Sequence, residues 1–293
     1  MKSLIIGAGR IGRGFVTELM ILNGIEIEFF DVNQKLIEQL NERKSYTIHV
    51  FGHEDRNLTV RDYRAYLASD ARQLAESWKD ADFIFTACGG KNMPVVGKII
   101  AAGFQELRNN GWLHGGNIIT CENWVDPAAD LLKAITGELD EKETEDFQRY
   151  IGVTEGVVLT TGTGAPEGFV CVNPCDTWVQ DFRYLPIDRS RLKTDVPDWQ
   201  YVELVDDFGN LLIQKVYTNN TSCAFAAYLG YLKGIRLLGD ASNDEEIMPL
   251  LDKLYEEINE TLIKGMEIDP VKQAAFSVRA RAKYTDRNII DPV

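Results

Sequence analysis

The chain is poor in the residues that hold metals or staple small extracellular folds. Among 293 residues there are three histidines (His49, His53, His114) and five cysteines (Cys88, Cys121, Cys171, Cys175, Cys223). The cysteine number is odd and the spacing scattered, so a disulfide framework is not expected and reduced thiols are. Cys171 and Cys175 stand four apart, but no second pair follows and the histidines lie far off in sequence, so no metal site is expected. No apolar run approaches the roughly 20 residues that cross a bilayer. Basic residues are outnumbered, with 31 Lys and Arg against 45 Asp and Glu, a formal net charge of -14. That balance speaks against nucleic acid or an anionic membrane surface as partner. A small anionic substrate stays possible, because one basic pocket can sit on an acidic protein. The opening stretch MKSLIIGAGRIGRG has no long apolar core and no small-residue cleavage site, so a signal peptide is not expected and a cytoplasmic setting is.

What is present is a globular composition, 45% hydrophobic and 26% charged. The length suggests about two domains of roughly 150 residues each. Lys2–Ile6 and Ile25–Phe30 read as short buried strands, separated by an amphipathic helix over Arg13–Asn23. Asn33–Glu42 reads as the next helix. This β-α-β order, repeated with strands at Phe83–Ala87 and Asn117–Cys121 and helices at Ala71–Lys79 and Pro94–Asn109, predicts a parallel doubly wound sheet. Tyr46–Val50 and Leu58–Val60 read as edge strands or a hairpin. Further on, Pro127–Ile135 and Glu141–Tyr150 read as helices. Val157–Thr160, Phe169–Val172 and Trp178–Tyr184 read as strands, with a turn over Gly162–Gly168. Leu185–Val196, with its two prolines and many charges, is expected to run over the surface. From about Phe208 the pattern is almost entirely helical. The expected division is residues 1–205 as a nucleotide-binding α/β domain and 206–293 as an all-α domain carrying substrate and catalytic groups.

The first strand runs into Gly7-Ala8-Gly9-Arg10-Ile11-Gly12, a G-x-G-x-x-G turn that opens a helix. Gly7 permits the tight turn, Gly9 lets backbone approach a pyrophosphate, and Gly12 lets helix and strand pack closely. The second strand ends in Asp31, at about the 20-residue distance where a carboxylate can accept both ribose hydroxyls of adenosine. These features make the domain Rossmann-type. The carboxylate would repel a 2′-phosphate, which favours NAD over NADP. FAD uses the same turn, so the motif alone leaves the cofactor open. The turns Thr86–Asn92 and Thr120–Asn123 are expected to line the nicotinamide end of the cleft.

A polar cluster, Lys215 to Cys223, feeds a strongly apolar helical stretch. On an α-helix, Lys215, Asn219, Ser222 and Cys223 share one face. A lysine facing a closed cleft loses hydration, which lowers its pKa and suits it to act as a general base near neutrality. A solvated lysine beside a helix cap fits the same residues.

Taken together, GAGRIGRGF (Gly7–Phe15), DVN (Asp31–Asn33), TACGGKNMP (Thr86–Pro94), CEN (Cys121–Asn123) and KVYTNNTSCAFAAYLGYLKG (Lys215–Gly234) resemble the polyol-specific long-chain dehydrogenases, most closely their mannitol-1-phosphate 5-dehydrogenase branch. The resemblance implies an NAD-dependent oxidoreductase. Its substrate would be a secondary alcohol of a polyol, sugar phosphate or sugar acid. It implies Lys215 as general base, Asn220 as the group holding the reacting oxygen, and Asn123 as a contact of nicotinamide ribose or substrate. Asn220 is one residue on from the Asn219 of the helical-face reading. Where the family carries histidine this chain has Cys223, a shorter side chain that cannot bear a positive charge. The family continues beyond the position of Asp291 with arginine-rich helical sequence. Here Arg279, Arg281 and Arg287 are the basic candidates for a phosphate or carboxylate. The Cys223 departure also raises a second expectation, a catalytically weakened NAD-binding protein that senses a ligand. Two-domain dehydrogenases of the 3-hydroxyacyl-CoA or 6-phosphogluconate type share the domain order, but the Lys215–Gly234 block does not look like theirs.

Overall fold

The computed structural model describes every residue except Glu167 and Gly168. Contacts along the chain divide it into two units, Met1–Asp206 and Asp207–Val293.

The first unit is built on a parallel sheet. Its strands are β1 (Lys2–Ile6), β2 (Glu26–Asp31), β3 (Arg64–Leu67), β4 (Phe83–Thr86), β5 (Gly116–Thr120) and β6 (Ile151–Glu155). Their spatial order is β3-β2-β1-β4-β5-β6, parallel throughout. The order reverses between β1 and β4, and ligands of open α/β sheets bind outside the carboxyl ends of the strands at such a reversal. The strands read as apolar runs because both faces are covered. Ile5 and Phe29 point into one core with Phe15, Leu19 and Met20. Their neighbours Leu4, Ile6 and Phe30 point into the other with Trp78, Phe104 and Phe147. Helix Gln34–Arg43 starts where the Asn33 side chain accepts the Leu36 N–H, and helix Ala71–Trp78 where Asp70 accepts that of Gln73, each satisfying an amide that the first turn leaves open.

Several expected elements are corrected. The strand β3 at Arg64–Leu67 was not legible, because its short sequence RAYL has no clean alternation. The last parallel strand is Ile151–Glu155 and not Val157–Thr160, which forms no named strand. Its Thr154 and Glu155 masked it; the Thr154 hydroxyl is buried and donates to Asp188 O at 2.7 Å. Phe169–Val172 forms no ladder, and the Trp178 strand covers only Thr177–Val179. Leu185–Asp188 is a buried strand paired in parallel with Val202–Val205, with Leu185 and Ile187 fully inside. The apolar alternation at 185 and 187 outweighs the charges that suggested a surface path. Tyr46–Val50 and Leu58–Val60 do pair as an antiparallel hairpin. They belong to a separate small sheet with Thr177–Val179 and Gly162–Thr163. Gly162–Thr163 thus forms a strand, and the end of the expected turn, Glu167 and Gly168, lies outside the described residues.

The second unit is helical: Phe208–Gln214, a π-helical turn Lys215–Asn220, then Thr221–Leu232, Leu238–Ser242, Met248–Glu260, a second π turn Thr261–Gly265, and Pro270–Thr285. Its core gathers Ala226, Leu238, Ala241, Leu251, Tyr255, Ala280 and Tyr284.

A methyl added at Gly12 would lie 2.0 Å from the Gly7 carbonyl oxygen, whereas one at Gly9 meets nothing closer than Ala87 O at 3.8 Å. Gly12→Ala should therefore destabilise the protein by about 1–3 kcal/mol or more. Gly9→Ala should stay within about 0.5 kcal/mol. Urea midpoints of the two variants check this, and equal midpoints would contradict it.

Candidate active site

The glycine turn is held from three sides. The Gly7 N–H donates to Phe30 O at 2.8 Å. Its φ is +99°, and a Cβ there would fall 2.7 Å from both Ala87 O and the Cys88 Sγ. Only glycine lets β1 turn this sharply against the end of β4. The Ala8 N–H donates to Asp31 Oδ2 at 2.7 Å, and Asp31 Oδ1 accepts the Asn33 N–H at 2.8 Å. Each carboxylate oxygen keeps a further lone pair.

A cavity of about 350 Å³ opens over this turn. Gly7, Gly9, Asp31 and Val32 line one side, and Ala68, Val95, Val96 and Ile99 supply apolar wall. Its size falls within the range of small-ligand pockets. Ala8, Arg10, Ile11 and Gly12 are outside its lining. Arg10 is exposed, Ile11 lies against Gly162, and Gly12 supports the turn from behind.

The turns after β4 and β5 are joined by a residue that the sequence reading passed over. Glu122 is buried, and its carboxylate accepts the Thr86 hydroxyl and the Cys88 N–H, each at 2.9 Å. Burial raises its pKa, against the pull of the Cys88, Thr86 and Cys121 hydrogen bonds. Thr86 is fully buried and spends its hydroxyl on Glu122. Its place is behind the turn. Asn123 follows Glu122 and is exposed. Burial pushes the Cys88 thiol up to about 12, which makes it a poor nucleophile. A carboxylate closing an apolar strand was the available signal for Glu122.

In the second unit, Lys215 opens the π turn. It is half-buried, and burial lowers its pKa. A π turn closes on the fifth residue instead of the fourth, and Asn220, at its end, is exposed. Asn219 is 7% exposed, and its Oδ1 is buried with no hydrogen-bond partner among the described residues. Cys223 is half-buried, and burial raises its pKa. It stands with the Tyr284 hydroxyl, Asp291 and Lys283. Lys283 was also missed. Burial pushes it down to about 8, Lys215 lowers it further, and Asp291 and Cys223 oppose the shift. It sits in the run RARAKYTDR, where the arginines drew attention. Of those, Arg281 pairs with Asp252, Arg287 donates to Asp240 at 3.1 Å, and Arg279 lies 5.3 Å over the Phe276 ring. Among the described residues no three His, Cys, Asp or Glu side chains are grouped to hold a metal. No helix among them is long and apolar enough to cross a membrane.

A family model described as the mannitol dehydrogenase Rossmann domain matches residues 1–201. The fold is similar to Pseudomonas fluorescens mannitol 2-dehydrogenase, solved as a ternary complex with NAD and D-mannitol. The match has a TM-score of 0.75 at 14% identity and covers 100% of this chain and 70% of that one. It is similar to a D-sorbitol dehydrogenase in substrate-free form, with a TM-score of 0.77 at 12% identity over 99% and 71% of the two chains. A D-mandelate dehydrogenase with NADH and anilino(oxo)acetate matches less well, at a TM-score of 0.57, 13% identity and 99% and 81% coverage. Identities this low speak to the fold alone.

Glu122 offers a test by pH. Its folded-state pKa lies above the ordinary 4.5, so the native protein holds this proton more tightly than the unfolded chain. The stabilisation is complete below the unfolded pKa and is lost as pH rises through the folded value. Glu122→Gln should lower neutral-pH stability by about 1–3 kcal/mol, because an amide cannot accept both donors. It should also flatten the decline in urea midpoint as pH rises above the ordinary glutamate value of 4.5. A decline as steep as that of the wild type would contradict this account.

Proposed function

The chain belongs to the mannitol dehydrogenase family, and from that premise we propose that it is an NAD-dependent oxidoreductase of polyol and carbohydrate metabolism. Its substrate is a secondary alcohol of a polyol, sugar phosphate or sugar acid, as in the mannitol-1-phosphate 5-dehydrogenase branch. The observation that carries the reading is Asp31, fixed by the Ala8 and Asn33 amides at the rim of an apolar cavity. The residues present fit a dinucleotide. The open space at Gly9 admits phosphate oxygens, Val95, Val96 and Ile99 suit a base, and Asp31 suits the ribose hydroxyls. The Asp31 carboxylate supports NAD over a 2′-phosphorylated form. When bound, the nicotinamide accepts or supplies the hydride.

The remaining work falls to the chain. In alcohol oxidation the Lys215 amine takes the hydroxyl proton, and in reduction it returns it. Burial favours the neutral amine that a base requires. Asn220 holds the reacting oxygen. Cys223 donates weakly and stays uncharged. Lys283, electrostatically coupled to it, supplies the positive charge that the thiol cannot. Glu122 keeps the two turns carrying Thr86 and Asn123 in register. All five cysteines are free, which supports a reducing, cytoplasmic setting.

Cys223 in place of histidine also supports a second reading, an NAD-binding protein whose catalysis is weakened and whose role is to sense a ligand. Calorimetry with NADH, followed by turnover assays on polyols and hexose phosphates, separates the two; binding without turnover supports the sensor. For the enzyme, Lys215→Ala should lower kcat by about 10²- to 10⁴-fold while NADH affinity stays within about threefold. Equal loss of both makes the lysine structural. The pH profile of alcohol oxidation should rise with pH, with its midpoint below the ordinary lysine value of 10.5. A Lys215 acting as base loses its proton there, and a flat profile would contradict the role.

A further inference from the structure

Arg13 is the third residue after the expected cofactor-binding Arg10, yet its environment is the opposite. Arg10 is exposed, whereas the Arg13 side chain is buried beneath the glycine turn. Its Nε donates to Cys175 O at 3.1 Å and its guanidinium also donates to Ala8 O. Its own carbonyl accepts the Tyr46 hydroxyl at 2.8 Å. Both direct acceptors of the guanidinium are neutral carbonyls, and among the described residues no carboxylate lies within ion-pair distance of it. Asp31 acts on it only at longer range, and both Asp31 oxygens already accept amides. Compare Arg183, which reaches the buried Glu18 carboxylate at 2.8 Å. A buried cation without a facing anion is costly.

The Ala8 carbonyl matters because of what lies across its peptide bond. All peptide bonds of the described chain are trans, and in a trans peptide the carbonyl and the next N–H point in opposite directions. A carbonyl drawn inward by Arg13 turns the Gly9 N–H outward. Gly9 is one of the two motif glycines that line the cavity.

We propose that Arg13 is a positioning residue for a diphosphate ligand: it holds the Ala8–Gly9 peptide so that the Gly9 N–H faces the cavity, and its charge behind the turn is completed by the ligand's anion. The selectivity of the cavity for diphosphate-bearing ligands over plain nucleosides then rests on Arg13. The proposal rests on the dinucleotide reading above and deepens it.

The experiment compares adenosine, ADP-ribose and NADH by calorimetry on the full chain and on Arg13→Met. The variant should weaken ADP-ribose and NADH by about tenfold or more, the scale of a hydrogen-bonded charge. Adenosine affinity should stay within about twofold. Parallel loss of all three ligands, or no loss at all, overturns the proposal and leaves the dehydrogenase reading standing. If the variant does not fold, the wild type decides through salt. A buried charge is little screened, so the preference for ADP-ribose over adenosine should change by less than about threefold between roughly 0.05 and 0.5 M salt. Collapse of that preference at high salt assigns it to exposed cations and overturns the proposal. A wild type that binds neither ADP-ribose nor NADH defeats both readings together.

Discussion

A hydrogen bond of 2.7 Å between the Ala8 amide and Asp31 ties the end of β1 to the end of β2, and the shape of the cavity depends on it. The bond is possible only because Gly7 adopts a left-handed conformation with no side chain to strike Ala87. It fixes the carboxylate at the cavity rim with lone pairs still available. It also leaves the turn with its first amide engaged inward, and Arg13 engages the carbonyl of the same residue from below. The peptide groups around Ala8 are thus held from both ends. A loop held in this way binds without having to be ordered first, which is the source of affinity in preorganised sites.

Desolvation shifts ionisable groups in both units, each in the direction its charge requires. It raises Glu122, which ties two strand ends together, and it lowers Lys215 and Lys283. Burial disfavours the charged form of both amines and brings Lys283 down to about 8. The thiol at position 223 is raised by the same burial and stays protonated.

The α/β unit was largely legible because its signals are local. Short apolar strands, Gly7, Gly9 and Gly12, and Asp31 at the end of the second strand lie within one β-α-β span, and each answers to a steric or electrostatic requirement there. Legibility failed where a strand's partners are remote. Arg64–Leu67 carries too little pattern by itself, Ile151–Glu155 hides polar residues satisfied by Asp188 and Arg191, and Leu185–Asp188 is buried in spite of neighbouring charges. Glu122 and Arg13 were invisible for a related reason. A charged residue next to a motif looks like solvent-facing decoration until its burial is known.

By itself the sequence determined the first strands and helices of the α/β unit, the glycine turn and its aspartate, and the largely helical character of the chain past Phe208. These follow from backbone sterics and hydrophobic period, which act over a few residues. Tertiary structure decided what those rules leave free. It placed the sheet reversal beside the glycines and put Thr86 behind its turn rather than in the cavity. It buried Arg13 and left Lys283 only partly exposed. It also wound Lys215–Asn220 as a π turn, with Asn219 enclosed and Asn220 exposed. Each of these depends on which surfaces meet after the chain folds, because burial and helix winding are set by packing against residues far away in sequence.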